Sequence, residues 1–259
     1  MTTIHTLASG SSGNALVLSW DGGHILVDAG ISCRRIRSAL LQLDISLQDL
    51  NAVLITHTHS DHISGLQTLL KNTACPICAT PQAGEDLLWR MNGLDSRIQE
   101  VYPGTPFAIG ICTVTPFPTS HDSPGSCGYR FDTPAGSVGL LTDSGIVTPE
   151  AEDLLPGVST MILEANHDVE MLKSGPYPAA LKRRILGPMG HLCNEDAGRF
   201  AAALACRGTR KILLAHLSAE NNTPAMAWNA VARALAAADQ TPTLAVLPRN
   251  ETGSFPIEG

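Results

Sequence analysis

Six consecutive residues, His57-Thr58-His59-Ser60-Asp61-His62, hold four side chains able to bind a metal, and they directly follow the apolar run Ala52-Val53-Leu54-Ile55-Thr56. Imidazole together with carboxylate suits Zn²⁺, Fe or Mn²⁺. A strand that delivers His57 at its end and then turns brings His57 and His59 onto one ion. The next turn aims Asp61 and His62 at a second ion a few ångströms away.

The same arrangement recurs along the chain. Ala15–Leu18 and His24–Val27 read as a hairpin joined by Ser19-Trp20-Asp21-Gly22-Gly23, and the second strand ends at Asp28. Ala108–Val114 reads as a strand followed by His121. Ser137–Thr142 runs into Asp143, Thr160–Leu163 into Glu164 and His167, and Lys211–Ala215 into His216. In each case an apolar run stops and a candidate ligand appears.

Between these strands the periodicity predicts helices: one capped by Ser32 with Ile36, Leu40 and Leu43 inward, one over 64–70, and one begun by Pro81. Two more follow, one capped by Asn194 and running to about Cys206, and one from Thr223-Pro224 to about Ala238. Strands and helices alternate without a linker or composition shift, so one α/β domain over 1–259 is expected.

Composition limits the function classes. Hydrophobic residues make up 44% of the 259 and charged residues 16%, which fits a globular chain with a sizeable core rather than a disordered one. The formal net charge of −7 argues against a surface broadly adapted to nucleic acid. The one basic cluster, Lys182-Arg183-Arg184, reads equally as a solvated helix face or a phosphate contact, and a contact is the expectation carried forward.

No apolar run of about 18 residues marks a membrane span, and no secretory signal is visible at the N-terminus. Seven scattered cysteines do not form a disulfide framework, so a reducing cytoplasm is expected, with Cys75 and Cys78 as buried structural thiols. A homodimer is left open.

His-x-His-x-Asp-His after an apolar strand, followed by His121, Asp143 and His216 each after its own strand, resembles the metallo-β-lactamase superfamily from Ala8 to about Pro224. The resemblance implies a four-layer αβ/βα sandwich with two divalent metal ions (Zn, Mn or Fe) in a cleft at one edge of the sheets. It implies that His57, His59 and His121 hold one ion and Asp61, His62 and His216 the other, with Asp143 bridging and Asp28 orienting ligands. Cys commonly stands at the position of Asp143 in members that hydrolyse β-lactams, so antibiotic hydrolysis is not expected.

Leu163-Glu164-Ala165, Gly190-His191-Leu192 and Leu214-Ala215-His216-Leu217-Ser218 are similar to RNase Z and related phosphodiesterases. The run Leu7–Asn14, the segment Glu164–Asp168, and Gly190–Asp196 with Cys193 where serine is expected, resemble the WalJ/YycJ group of 5′→3′ DNA exonucleases.

The resemblance implies in-line attack on phosphorus by hydroxide shared between two cations. Asp61 orients that hydroxide. His191 contacts a phosphate oxygen or protonates the leaving group, and Glu164 sets the tautomer of His191. His167 and Asn14 read either as substrate contacts or as turn residues. Hydrolysis of a small substrate such as a cyclic phosphodiester, thioester or lactone is the alternative activity. A metal-holding protein without turnover is a third possibility.

Overall fold

A computed structural model describes residues 2–257; Met1, Glu258 and Gly259, which the expected 1–259 domain includes, lie outside the described residues. The first half of the chain supplies β1 (Thr3–Ala8), β2 (Ala15–Trp20), β3 (Gly23–Val27), β4 (Leu50–Leu54), β5 (Ile77–Ala79) and β6 (Ile98–Glu100). The chain beyond residue 100 supplies β7 (Phe107–Ile109), β8 (Cys112–Pro118), β9 (Cys127–Thr133), β10 (Gly136–Leu141), β11 (Thr160–Glu164), β12 (Lys211–Ala215) and β13 (Thr243–Val246).

Strand β14 (Gly253–Pro256) returns to pair with β1. The two sheets are therefore ordered β14-β1-β2-β3-β4-β5-β6 and β13-β12-β11-β10-β9-β8-β7. Each is antiparallel over one half and parallel over the other. Pairing changes from antiparallel to parallel at β3, between β2 and β4, and at β10, between β9 and β11.

The helices are α1 (Cys33–Leu41), α2 (Ser60–Ile63), α3 (Leu66–Leu69), α4 (Pro81–Arg90), α5 (Pro149–Leu154), α6 (Val169–Ser174), α7 (Ala179–Leu186), α8 (Asn194–Ala205) and α9 (Pro224–Ala237). Strand β3 shows how the layers arise. Ile25 and Val27 point between the sheets, with Leu54, Tyr129, Phe131 and Leu213, while Leu26 points outward to Ile36, Leu40 and Leu66. Burial on both faces explains why the parallel strands read as unbroken apolar runs rather than alternating ones.

On the far side, Leu163 and Leu214 pack with Phe200, Leu204, Val231 and Leu235 of α8 and α9. The order helix, sheet, sheet, helix is the expected αβ/βα sandwich. Among the described residues no helix is long and apolar enough to cross a membrane. Cys75 and Cys78 are buried free thiols, and burial pushes Cys78 up to about 12.

Several local expectations change. The first hairpin turns on two residues, Asp21 and Gly22, because Trp20 pairs with Gly23 and Gly22 takes φ 84°. Ala108–Val114 is a hairpin, not one strand: Gly110 at φ 57° reverses the chain and Ile109 pairs with Cys112. The helix expected over 64–70 is the short turn α3, and a separate short turn, α2, precedes it and begins inside the histidine stretch itself. Asn194 does not cap α8. Cys193 holds that position, and the Asn194 amide exchanges two hydrogen bonds with Asn222, at 3.0 and 2.8 Å.

Candidate metal centre

The strand ends converge on one rim of the sandwich. Asp28, Asp143 and His216 sit just past β3, β10 and β12 with left-handed backbone, at φ 59°, 56° and 55°. That conformation is uncommon for non-glycine residues and persists where surrounding bonds impose it. Here Asp28 N donates to Leu54 O at 2.8 Å, and His216 N donates to Ser9 Oγ at 3.0 Å.

The first histidine group is His57, His59 and His121. Thr56 Oγ1 lies 3.1 Å from His57 Nδ1, which leaves Nε2 buried and with no hydrogen-bond partner among the described residues. His121 Nδ1 donates to Gly190 O at 3.1 Å, so its Nε2 is the unprotonated nitrogen, and that atom lies 3.1 Å from His59 Nδ1. Two donors each about 2.0–2.1 Å from a tetrahedral ion stand about 3.3–3.4 Å apart, so the spacing fits a shared cation. Burial, reinforced by neighbouring histidines, pushes all three below the usual imidazole range and keeps them neutral, as ligands must be.

The second group is Asp61, His62 and His216. His62 Nδ1 donates to Asp28 Oδ2 at 2.7 Å and His216 Nδ1 to Glu164 Oε1 at 2.9 Å, so both rings turn Nε2 towards Asp61 Oδ2, at 3.5 and 3.4 Å. Asp28 is fully engaged, accepting also from Thr56 N at 2.9 Å and Thr56 Oγ1 at 2.8 Å.

Asp143 lies between the groups. Its Oδ2 is 3.2 Å from His62 Nε2, and its Oδ1 is 3.5 Å from His216 Nε2 and 3.8 Å from His121 Nε2. Burial opposes charge on His216, but Asp143, with Asp61 and Glu164, raises it to about 10; Asp143 with Asp28 holds His62 above the usual imidazole range, also against burial. Asp61 and Asp143 are held well below the carboxylate range by those histidines, against the effect of burial. With His57 Nε2 and Asp143 Oδ2 lacking a hydrogen-bond partner among the described residues, the three neutral imidazoles of the first group and the ionised carboxylates are a donor set placed for divalent metal.

Glu164, at the end of β11, is a buried bracket. Its Oε1 accepts from His191 Nδ1 at 2.8 Å as well as from His216, and its Oε2 accepts from Ser144 N at 3.0 Å and Leu192 N at 3.2 Å. Burial raises its pKa, but the charge and hydrogen bond of His191 and the bond from His216 outweigh burial and bring it to about 2. The pairing fixes the His191 ring, whose side chain is 19% exposed at the cleft.

That cleft, about 370 Å³, is lined by His59, Asp61, Asp143, His191 and His216 on the metal side. Ser11, Asn166 and Ser218 lie along one wall, and α7 with the preceding Tyr177 roofs it. Of the basic cluster, only Arg184 lines the cleft; Lys182 Nζ donates to Lys173 O at 2.6 Å, and Arg183 is exposed elsewhere on α7.

The structure places Asn14 and His167 away from the cleft lining. Asn14 is buried, its amide 3.0 Å from His62 Nε2 and its carbonyl accepting from Gly10 N. His167 is buried with neither ring nitrogen hydrogen-bonded among the described residues, and burial lowers it to about 4.

Sequence reasoning missed Thr56, which links Asp28 to His57, and Thr58, whose hydroxyl donates to the Asp86 carboxylate on α4. It also missed Asp122, which pairs with Arg184. The first two lie inside the opening stretch or beside it, and Asp122 adjoins His121. Adjacency to ligands was the only available signal.

The sequence profile described as "Beta-lactamase superfamily domain" matches residues 24–217. The chain is 35% identical over 230 residues to the exodeoxyribonuclease YycJ of Bacillus anthracis, covering 88% of this chain and 87% of that one. It is 39% identical over 237 residues to the exodeoxyribonuclease WalJ of Streptococcus pneumoniae serotype 2 (strain D39 / NCTC 7466), covering 90% and 88%. The crystal structure of the metallo-beta-lactamase fold protein YhfI from Bacillus subtilis superposes with a TM-score of 0.73 at 16% identity, over 98% of this chain and 100% of that one. A profile match over most of the length, relatives covered nearly end to end, and a two-sheet edge that gathers histidine and aspartate agree: this chain belongs to the β-lactamase superfamily, in the metallo-β-lactamase fold.

Proposed function

We propose that this chain is a dinuclear metal-dependent exonuclease that hydrolyses DNA phosphodiesters in the 5′→3′ direction. The observation that carries the reading is the Glu164–His191 pair beside two histidine groups joined by Asp143, in a chain whose 35–39% identical relatives are exodeoxyribonucleases. His57, His59 and His121 would hold one ion, Asp61, His62 and His216 the other, and Asp143 both. Divalent cations so held supply charge stabilisation for a phosphoryl group and lower the pKa of water towards neutrality.

The chain's own groups do the rest. Asp61, ionised and 24% exposed at the cleft, accepts a hydrogen bond from the attacking water and orients it. His191, anchored through Nδ1 on Glu164, turns Nε2 to the leaving oxygen and delivers a proton there. Glu164 stays ionised and steadies the imidazolium. The Ser11 and Ser218 hydroxyls along the wall offer hydrogen bonds to sugar and phosphate oxygens. The same experiment that tests the activity ranks Zn, Mn and Fe by the turnover each supports.

End-labelled single- and double-stranded DNA and RNA are incubated with the protein and Mn²⁺, Zn²⁺ or Fe²⁺, with Asp61→Ala as control. Stepwise shortening of DNA from the 5′ end, lost in the variant, is expected. No cleavage of any strand, with turnover of a thioester or lactone instead, overturns the proposal.

A further inference from the structure

Arg184 is the only lysine or arginine among the described residues lining the cleft. On α7 it follows Leu181 by three residues and precedes Ile185, and all three line the cleft, as neighbours on one helix face do. Its guanidinium grips Asp122 at two points, Nε to Oδ2 at 2.5 Å and Nη2 to Oδ1 at 3.0 Å. Asp122 directly follows His121, and its Oδ1 lies 3.7 Å from Nε2 of both His59 and His121. The guanidinium is thus docked against the rim of the candidate metal centre through a carboxylate.

Two features make that carboxylate replaceable. The paired side chains are 52% and 31% exposed, so water and an incoming anion can reach both partners. The helix carrying Arg184 buries none of its residues. At its C-terminal end, a Cβ on Gly190 would stand 2.2 Å from Ile185 O, so α7 packs directly on the segment that carries His191. A phosphate offers the guanidinium the same paired oxygens as a carboxylate.

Resting on the nucleic-acid reading above, we propose that Asp122 occupies the place of a substrate phosphate. Arg184 releases Asp122 to bind the phosphate next to the scissile one, which selects a chain of successive phosphodiesters over an isolated one. Lys182 and Arg183 take no part.

The test measures binding of a fluorescent 12-nucleotide single-stranded DNA by anisotropy with EDTA present, and turnover of the same DNA and of bis-p-nitrophenyl phosphate with cation present. Arg184→Gln raises Kd about tenfold and reduces the slope of log Kd against log salt by about 0.7, the value for one lost phosphate contact on a single strand. Arg183→Gln changes Kd by less than about twofold, within the effect of a remote charge. Asp122→Asn lowers Kd, and that gain disappears in the double variant with Arg184→Gln. The loss of kcat/KM in Arg184→Gln is about tenfold greater for DNA than for bis-p-nitrophenyl phosphate, and Arg184→Lys, which keeps charge without the fork, falls between.

An unchanged salt slope in Arg184→Gln, or an equal loss in Arg183→Gln, overturns the assignment. Cleavage of DNA by the wild type with Arg184-independent Kd sinks this inference alone. Arg184-dependent binding without cleavage under any cation sinks the nuclease reading and with it the scissile-phosphate placement, leaving Arg184 as a phosphate contact.

Discussion

The two sheets repeat one plan, and their registers can be laid over each other. Leu54 lies opposite Val27 and Cys78 in the first sheet, and Glu164 opposite Ala215 in the second, one step beyond the Leu141–Leu163 pair. On that alignment Asp28 coincides with Asp143, Thr56 with Asn166, and His57 with His167. Both aspartates take the same left-handed backbone, yet Asp28 accepts three hydrogen bonds while Asp143 Oδ2 has no hydrogen-bond partner among the described residues.

What differs is the neighbour. Thr56 saturates the first aspartate; Asn166 turns its amide to His216 O instead, at 2.9 Å, and leaves the second aspartate facing histidines. One backbone geometry thus yields a bracket in one half and a candidate ligand in the other. Histidines are split in the same way: His57 points a free nitrogen into the centre, while His167 is enclosed beside it.

Substitutions can break this comparison at graded cost. Asp143→Asn removes the carboxylate common to both histidine groups; activity is expected to fall by more than the roughly 10–100-fold typical of a supporting group, with metal content per chain reduced in elemental analysis. Asp28→Asn should fall within that 10–100-fold range in activity or metal affinity. It should also cost about 3–5 kcal/mol in urea unfolding, because it breaks a buried pair with His62. Equal losses in the two variants would erase the distinction between bracket and ligand.

Glu164 stands where the first sheet has Leu54, and its lowered pKa has a sign that can be followed. Its contribution to stability is complete above the unfolded value of about 4.3 and is lost as pH falls through about 2. Wild-type unfolding free energy should therefore decline across that window more steeply than that of Glu164→Gln; parallel curves would rule out an ionised bracket. Thr56→Val leaves Asp28 Oδ2 with His62 alone and should cost about 1–3 kcal/mol by the same unfolding measurement. His167→Leu is expected to preserve turnover and stability, since replacing a buried ring whose nitrogens have no hydrogen-bond partner among the described residues is near neutral. A large loss of turnover would show that the second sheet's histidine is used.

Much of this division was legible in the sequence. The ligands stand at the ends of strands buried on both faces, so apolar runs announced them, and His57 to His62 lie in one local stretch. The resemblance then supplied their grouping. What stayed hidden depends on contacts between distant segments. Nothing local separates Arg184 from Lys182 and Arg183, because only the helix face decides which one enters the cleft. Helices α6 and α7 bury little and so carry a weak periodic signal. Strands β1, β9 and β14 escaped because polar residues interrupt them, as Thr3, His5 and Thr6 do in β1. Asn14 and His167 were read as possible substrate contacts because burial by other elements cannot be seen from a loop's own composition.

The return of β14 to β1, with Thr3 opposite Pro256 and Thr6 opposite Gly253, has a consequence for synthesis. Residues 107–246 can assemble the whole second sheet while the first still lacks its outermost strand. Until residues 253–256 leave the ribosome, β1 presents unpaired backbone groups on one side, the kind of edge that recruits other chains. In that interval β1 is an open edge on the side that β14 later covers.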